Sequence, residues 1–209
     1  MKGQTMKGKQ QLKVLNRPVF LSLLMGMSFY SFSSLAAPYS MSFTLGQANT
    51  ELGKNHVDIL DSDKSDSSWG IEFGYDFELA KLKIGYIDLG EGSVTLQADS
   101  YTPEQYHETV KNVAPVLIEG VTIGAETILF ENNNWFLNGQ LGAVIWQNVI
   151  ISQSDSGATY KSKERGTESY FGLSGGYQLT SNWSVSGQYR GYILSEYISD
   201  ISIKLAYQF

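Results

Sequence analysis

The last forty residues, Tyr170 to Phe209, constrain the fold more than any other stretch. At the end of the chain Ile201, Ile203, Leu205, Tyr207 and Phe209 are apolar, while Asp200, Ser202, Lys204, Ala206 and Gln208 between them are small or polar. A period of two puts one set of side chains on one face of a strand. Trp183, Val185, Tyr189 and Ile193 alternate in the same way with Ser184, Ser186, Gln188 and Arg190. Phe171, Leu173, Tyr177 and Leu179 alternate with Gly172, Ser174, Gly176 and Gln178. Three strands of about ten residues follow, joined by a Thr-Ser-Asn turn and a short polar loop.

A soluble sandwich could bury such faces, but its strands typically run only about five or six residues. A membrane barrel needs strands of about nine to eleven residues, apolar outside, small or polar inside, with aromatic girdles at both ends. The strand length, the aromatic ends and the terminal Phe209 select the barrel.

The segments YFGLSGGYQLTSNWSVSGQYRGYIL and ISIKLAYQF resemble the closing hairpins of the small eight-stranded outer-membrane barrels: the outer-membrane-protein-A-type barrel domain, outer membrane protein X and the opacity-like surface antigens. FGYDFELAKLKIGYIDLG and IEGVTIGAETILFENNNWFLNGQLGAVIW resemble the second to fifth strands of the same families. The resemblance spans the barrel but not its loops. It implies an all-β, eight-stranded antiparallel up-and-down transmembrane β-barrel with short periplasmic turns and long extracellular loops. It also implies that Tyr207 and Phe209, in aromatic-x-Phe, are read by the barrel assembly machinery. The family's usual Gly five residues before the end is Lys204 here.

The chain starts differently. Lys2, Lys7, Lys9, Lys13 and Arg17 precede a mostly apolar run from Val19 to Phe32, and Ser34-Leu35-Ala36 supplies small residues for cleavage before Ala37. Residues 1–36 are therefore expected to be a removed signal peptide and 37–209 the barrel domain. The whole chain has 15 basic and 21 acidic residues; without the five leading cations the balance is 10 against 21, or −11. That excess argues against nucleic acid as a partner. Cysteine is absent, so a closed strand ladder must supply stability that disulfides supply in many exported domains.

The remaining strands obey the same rule. Tyr39, Met41, Phe43 and Leu45 are expected to face out on the first strand. Trp69, Ile71, Phe73, Tyr75 and Phe77 do so on the second, with Glu72 and Asp76 facing in. Leu82, Ile84 and Tyr86 face out on the third; Val121, Ile123, Ala125 and Leu129 on the fourth, with Glu126 inward; Trp135, Leu137, Leu141 and Ile145 on the fifth, with Asn138 and Gln140 inward. Eight strands place both ends on one side. Glu78 to Lys81, Glu131 to Asn134 and Thr180 to Asn182 are short connections; Gln47 to Ser68, Glu91 to Leu117 and Ile150 to Glu168 are long; Leu194 to Tyr197 is brief.

The chemistry this pattern can carry is limited. The two histidines, His56 and His107, fall in long loops, away from any recognisable Ser-His motif, although loop folding could bring a serine to one of them. No cofactor or metal is expected. An eight-stranded barrel is just wide enough for its interior to be filled by side chains. The inward set of Glu72, Lys83, Glu126, Arg190, Asp200 and Lys204, with Asp76 and Gln140, reads better as a charge-paired plug than as a conduit. Asp61, Asp63 and Asp66 beside Asp58 lack the Gly and closing Glu of a calcium loop and read as a solvated tip. In TPEQYHETVKNVAP, Thr102 and Gln105 make a capping box and Pro103 suits the first helical position, which predicts a short helix with Tyr106, Val110 and Val113 on one face. It is either a contact surface or a lid packed on its own loop.

Trp146 to Ser154 and Ala158 to Glu168 keep alternating around Asp155-Ser156-Gly157, which predicts a hairpin projecting above the membrane. Lys161, Lys163 and Arg165 share one side of it, positioned either for lipopolysaccharide phosphates or an anionic ligand, or as ordinary solvated charge. The resemblance implies a non-enzymatic surface protein whose extracellular loops serve adhesion, colonisation or host interaction; an envelope-integrity barrel comes second, a lipid-modifying enzyme third and a narrow channel fourth. The expected partners are outer-membrane lipids and lipopolysaccharide, the assembly machinery during insertion, and a host or environmental ligand.

Overall fold

The computed structural model describes residues 38–51, 59–96, 102–153 and 159–209. The expected signal peptide, His56, Asp58 and the Asp155-Ser156-Gly157 tip lie outside them. Eight strands close a ring: β1 (Tyr39–Thr50), β3 (Ser65–Asp76), β4 (Lys81–Asp88), β6 (Glu119–Asn132), β7 (Trp135–Gln153), β8 (Thr159–Gln178), β9 (Trp183–Ile193) and β10 (Tyr197–Gln208). Every neighbouring pair is antiparallel, and β1 closes on β10 from Ser40↔Gln208 to Thr50↔Ile198. Closure leaves no strand edge in the membrane-spanning ring, so each backbone polar group there has a neighbour to bond. The terminal Phe209 joins this seam, donating its N–H to the Tyr39 carbonyl at 3.0 Å.

The outward faces are those the alternation marks. Phe43, Leu45, Phe73, Leu82, Ile84, Val121, Ile123, Leu137, Leu141, Leu173, Ile201, Ile203 and Leu205 are all exposed. So large an exposed apolar surface is stable only in hydrocarbon. At the end where β1 starts and β10 finishes, Tyr39, Tyr75, Phe77, Trp135, Tyr177, Trp183, Tyr207 and Phe209 make a girdle with ring centroids 4.7 to 5.1 Å apart. At the other end Trp69 and Tyr86 turn polar tips to Asp88 and Glu119, at 3.2 and 2.8 Å, and Phe171, Tyr189 and Tyr197 form a separate aromatic cluster on β8, β9 and β10. Ten residues separate Tyr207 from Tyr197; at about 3.3 Å per residue and a tilt of about 40° they span ~25 Å, the height of an outer-membrane apolar band.

Near the turn end of β6 the outward alternation fails. On β6 the register shifts between Ile128 and Phe130, and Ile128, Leu129 and Phe130 are all exposed. Leu129 is the extra residue of a bulge rather than one of a regular outward series. The tight turn that follows puts Asn133 at φ 54°, a conformation Asn adopts more readily than most residues.

The connections at the opposite end are more ordered than loop lengths suggest. Strands β1 and β3 run on to Thr50 and back from Ser65, shortening the first connection. Within it β2 (Ile59–Asp63) pairs with β5 (Ser93–Leu96) of the second connection, a two-stranded sheet outside the ring. Strands β7 and β8 continue well above the girdle as a hairpin paired from Asn148↔Glu164 to Gln153↔Thr159. Helix α1 (Pro103–Val113) lies against it, its capping box formed in both directions between Thr102 and Gln105.

Candidate functional site

The lumen is filled in two layers. Strands β3, β4, β6 and β9 each send one charged side chain inward and β10 sends two, all at positions of the inward parity of their strands. Glu72 receives Lys83 Nζ at 2.7 Å on one oxygen and Arg190 Nη2 at 3.3 Å on the other. Glu126 Oε2 receives Lys83 at 3.1 Å and Lys204 at 2.9 Å. Lys83 therefore bridges the two glutamates. Arg190 also donates to Gln188 Oε1 at 2.8 Å, and Gln140 links Gln188, Glu72 and Tyr170 at 3.1 to 3.3 Å. Asp200 accepts from the hydroxyls of Ser68 and Ser202.

All six charged residues are buried. Three are acids and three are bases, so the buried set is formally neutral. A buried charge without a partner is strongly unfavourable, and this network leaves Glu72 and Glu126 with two cations each. Asp76 sits lower, half-exposed, closing the turn end with Lys81 at 3.4 Å and Gln208 at 2.8 Å.

Above the charges the interior becomes apolar, which the outward-inward reading does not anticipate. Ala48, Ile87, Val144, Tyr170, Tyr192 and Ile198 hold inward positions near the loop end and pack with Leu89, Leu117 and Ile118 from the second connection. The wall there rises past the membrane and carries a folded cap, so its inner face can be greasy without meeting water or ions. A second apolar cluster lies higher: Tyr106, Val110 and Val113 of α1 with Ala114, Val94 and Ile150, and Ile59 packed beside them.

His107 pins the helix to the hairpin. Its Nδ1 is 2.7 Å from Ser152 Oγ on β7 and its Nε2 is 2.6 Å from Ser162 Oγ on β8. Lys111, one turn on, reaches Glu164 at 3.7 Å. The sequence reading leaves a Ser-His pairing open; the fold makes two, and both hold α1 in place. No sequence signal pairs His107 with serines 45 and 55 residues away. Lys161, Lys163 and Arg165 stand outside on β8, exposed and on the outward parity, with no ion-pair partner among the described residues. Asp61, Asp63 and Asp66 gather no metal-binding group among the described residues. Asp66 instead bonds the backbone of Ser67 and Glu91 at 2.7 and 2.9 Å.

A closed ring of eight antiparallel strands, an apolar band between aromatic girdles and a charge-filled interior define a small transmembrane β-barrel. Solved structures similar to it are outer-membrane barrels of that size. They include the attachment invasion locus protein Ail of Yersinia pestis, with 12% identity, 81% of this chain and 98% of that one covered, and a TM-score of 0.47. Neisserial surface protein A matches with 15% identity, 83% and 98% coverage and a TM-score of 0.46. Outer membrane protein H of P. aeruginosa matches with 16% identity, 83% and 100% coverage and a TM-score of 0.45. No protein-family model and no curated protein matches the chain. The assignment to transmembrane barrels stands on the strand ring and apolar band themselves.

Proposed function

We propose that the chain is an exported, non-enzymatic outer-membrane surface protein whose extracellular cap binds a ligand outside the cell, in adhesion, colonisation or host contact. Residues 1–36 act as the cleaved signal, and the end with long connections faces outward. The observation that carries this reading is the second apolar cluster. A barrel needs only short links between strands to persist in a membrane. Here two connections and the β7–β8 hairpin converge on a core of their own, joined by the His107 pin. That core holds a shaped surface in place, which is what a binding surface requires. The free edge of β8 above Ser169, where β9 pairing begins, offers backbone groups for an added strand, and Lys161, Lys163 and Arg165 present charge to an anionic partner.

The test is a binding screen with cells displaying the full protein or a variant with 98–112 and 148–164 each replaced by a short Gly-Ser link. Loss of surface binding with an intact envelope supports the reading. A second reading, envelope support, draws on the sealed lumen. It requires that deleting the gene sensitises cells to detergents and that the capless barrel restores resistance; that result, with no binding defect, replaces the first reading.

A further inference from the structure

Two faces on opposite sides of the barrel complement each other in shape and in charge. On β8 and β9 the outward positions Gly175 and Gly187 are cross-strand partners, both exposed. Around Gly187 nothing lies within 4 Å of the place a Cβ would occupy, and at Gly175 only Leu137 comes as near as 3.8 Å. The apolar band is hollowed there into a groove of about 590 Å³, walled by Leu173, Ile201, Ile203 and Leu45. Elsewhere the band carries a ridge. Phe73, Ile84 and Ile123 lie in one cross-strand row on β3, β4 and β6, and all three are exposed.

The register fixes where groove and ridge lie. Cross-strand partners followed from Leu137 on β7 through Gly175, Gly187 and the rest of the ring return to β7 at Gln147, ten residues higher. With strands ~4.8 Å apart and a rise of ~3.3 Å per residue, that offset tilts the strands by about 40°. Each step round the ring then lifts a partner by about 3 Å, and each residue along a strand climbs about 2.5 Å. On this geometry Ile84 stands at the height of the groove, about 6 Å above Gly175, and roughly half the circumference away.

The charges above the membrane fall on the same two sides. The tilt carries the tops of β1 and β3 over the groove. Glu51 follows β1 there, and Asp61 and Asp63 of β2 come just before β3; all three are exposed, with no ion-pair partner among the described residues. Lys64 beside them offsets one of the three charges. The same tilt carries the upper part of β8 over the ridge, where Lys161, Lys163 and Arg165 are outward and exposed at about the height of Asp63. The outward carboxylates beneath these cations, Asp88 and Glu119, are already bonded to Trp69, Tyr86 and Gln147.

We propose that the barrel binds a second copy of itself side by side in the membrane. The Phe73–Ile84–Ile123 ridge of one copy packs into the Gly175–Gly187 groove of the next. Lys161, Lys163 and Arg165 above the ridge meet Glu51, Asp61 and Asp63 above the neighbour's groove. Copies inserted in one membrane share an orientation, so opposite faces at equal height meet by translation alone. Contact within lipid gains nothing from excluding water and depends on close packing, which backbone bare of side chains permits. The contact is head-to-tail between faces half a turn apart, so it extends into open rows rather than closing a pair. It rests on the outer-membrane placement proposed above.

Carbodiimide coupling of carboxylates to amines tests this in outer membranes isolated from cells expressing the full chain. Within one copy the lysines of β8 and the acids beside β1 and β3 stand on opposite sides, so a bond from Lys161 or Lys163 to Glu51, Asp61 or Asp63 joins two copies. The wild type is expected to give a ladder of dimers, trimers and longer species, with those bonds found by peptide mass spectrometry. Gly187→Leu fills the groove, and Arg165→Glu reverses a charge without removing a reactive amine; each is expected to abolish the ladder and leave the monomer. Arg165→Glu combined with Asp63→Lys is expected to restore it. Heat-modifiable gel mobility of the same samples reports folding. A folded wild type that stays monomeric or stops at dimers, or a folded Gly187→Leu that gives the wild-type ladder, overturns the row and leaves the outer-membrane reading standing. A wild-type chain that never gives the folded band fails that earlier reading, and the row with it.

Discussion

Arg190 and Glu72 meet at 3.3 Å inside the barrel from strands β9 and β3, three places apart around the ring, and each is only 1% exposed. Glu72 is the residue on which the plug converges, because Lys83 bonds its other oxygen and Gln140 and Ser42 complete its shell. Removing its charge while keeping its shape, as in Glu72→Gln, leaves two buried cations short of an anion. The expected loss is about 3 to 5 kcal/mol. It is read as the denaturant midpoint of the heat-modifiable form in lipid vesicles. Replacing Glu72 and Arg190 together by Met is expected to destabilise less than the sum of the single changes, since the pair is in direct contact.

The same plug predicts electrical silence. Six charges of balanced sign and the apolar layer above them block the lumen. Purified protein in planar bilayers is expected to give no stable conductance above baseline. A large, lasting, ion-selective conductance would show that the side-chain packing opens in the membrane.

Leu205 lies on the outward face of the closing strand, opposite Phe43 and Val185. Leu205→Arg places a cation in the apolar band one outward position above Tyr207 of the girdle, and is expected to cost less than the roughly 2 to 4 kcal/mol of a midplane Arg. Deleting Phe209 removes its bond to Tyr39 and one member of the lower girdle, and is expected to slow assembly. Both are measured as the fraction reaching the heat-modifiable form. Equal insertion of Leu205→Arg and wild type would contradict the facing of β10.

The hairpin above the membrane makes a prediction at single-amide resolution. Asn148 to Gln153 and Thr159 to Glu164 pair with each other, and each strand of the extension has one side turned away from its partner. Alternate amides should exchange slowly in nanodiscs, their neighbours fast. Uniformly fast exchange would mean that the extension does not form, and the strand-addition part of the proposed function would fall with it.

His107→Ala removes both hydroxyl contacts that hold α1, worth about 0.5 to 1.5 kcal/mol each. The cap should then open more often while the barrel is untouched. Limited proteolysis between Glu104 and Lys111 is expected to accelerate, with the melting of the barrel unchanged. A parallel fall in barrel stability would show that the cap and the ring fold as one unit.

The ring itself was legible from parity alone. Ile201 to Phe209 and Trp183 to Ile193 announce their faces because hydrocarbon outside and a narrow lumen inside impose opposite demands on neighbouring residues. The inward charges follow from the same parity, although which cation meets which anion does not. Arg190 meets Glu72, and the two lysines meet on Glu126, because of ring order and side-chain reach. Above the membrane the rule lapses. Tyr192 and Ile198 are apolar yet inward, since both are fully buried there in the cluster with Leu89, Leu117 and Ile118. Strands β2 and β5 are too short to show a period, and their pairing joins segments about thirty residues apart. The helix was legible because its capping box is local; its pin to Ser152 and Ser162 was not, because that depends on where the hairpin stands.

The two apolar clusters above the charges share no residue. The lower one is made largely by the barrel wall and the upper one by the connections. The upper cluster is buried, and none of its residues belongs to the β1–β10 pairs that close the ring, so substitutions there rearrange the support beneath the cap without touching the seam. The cap can thus be rebuilt on a ring whose closing pairs stay the same.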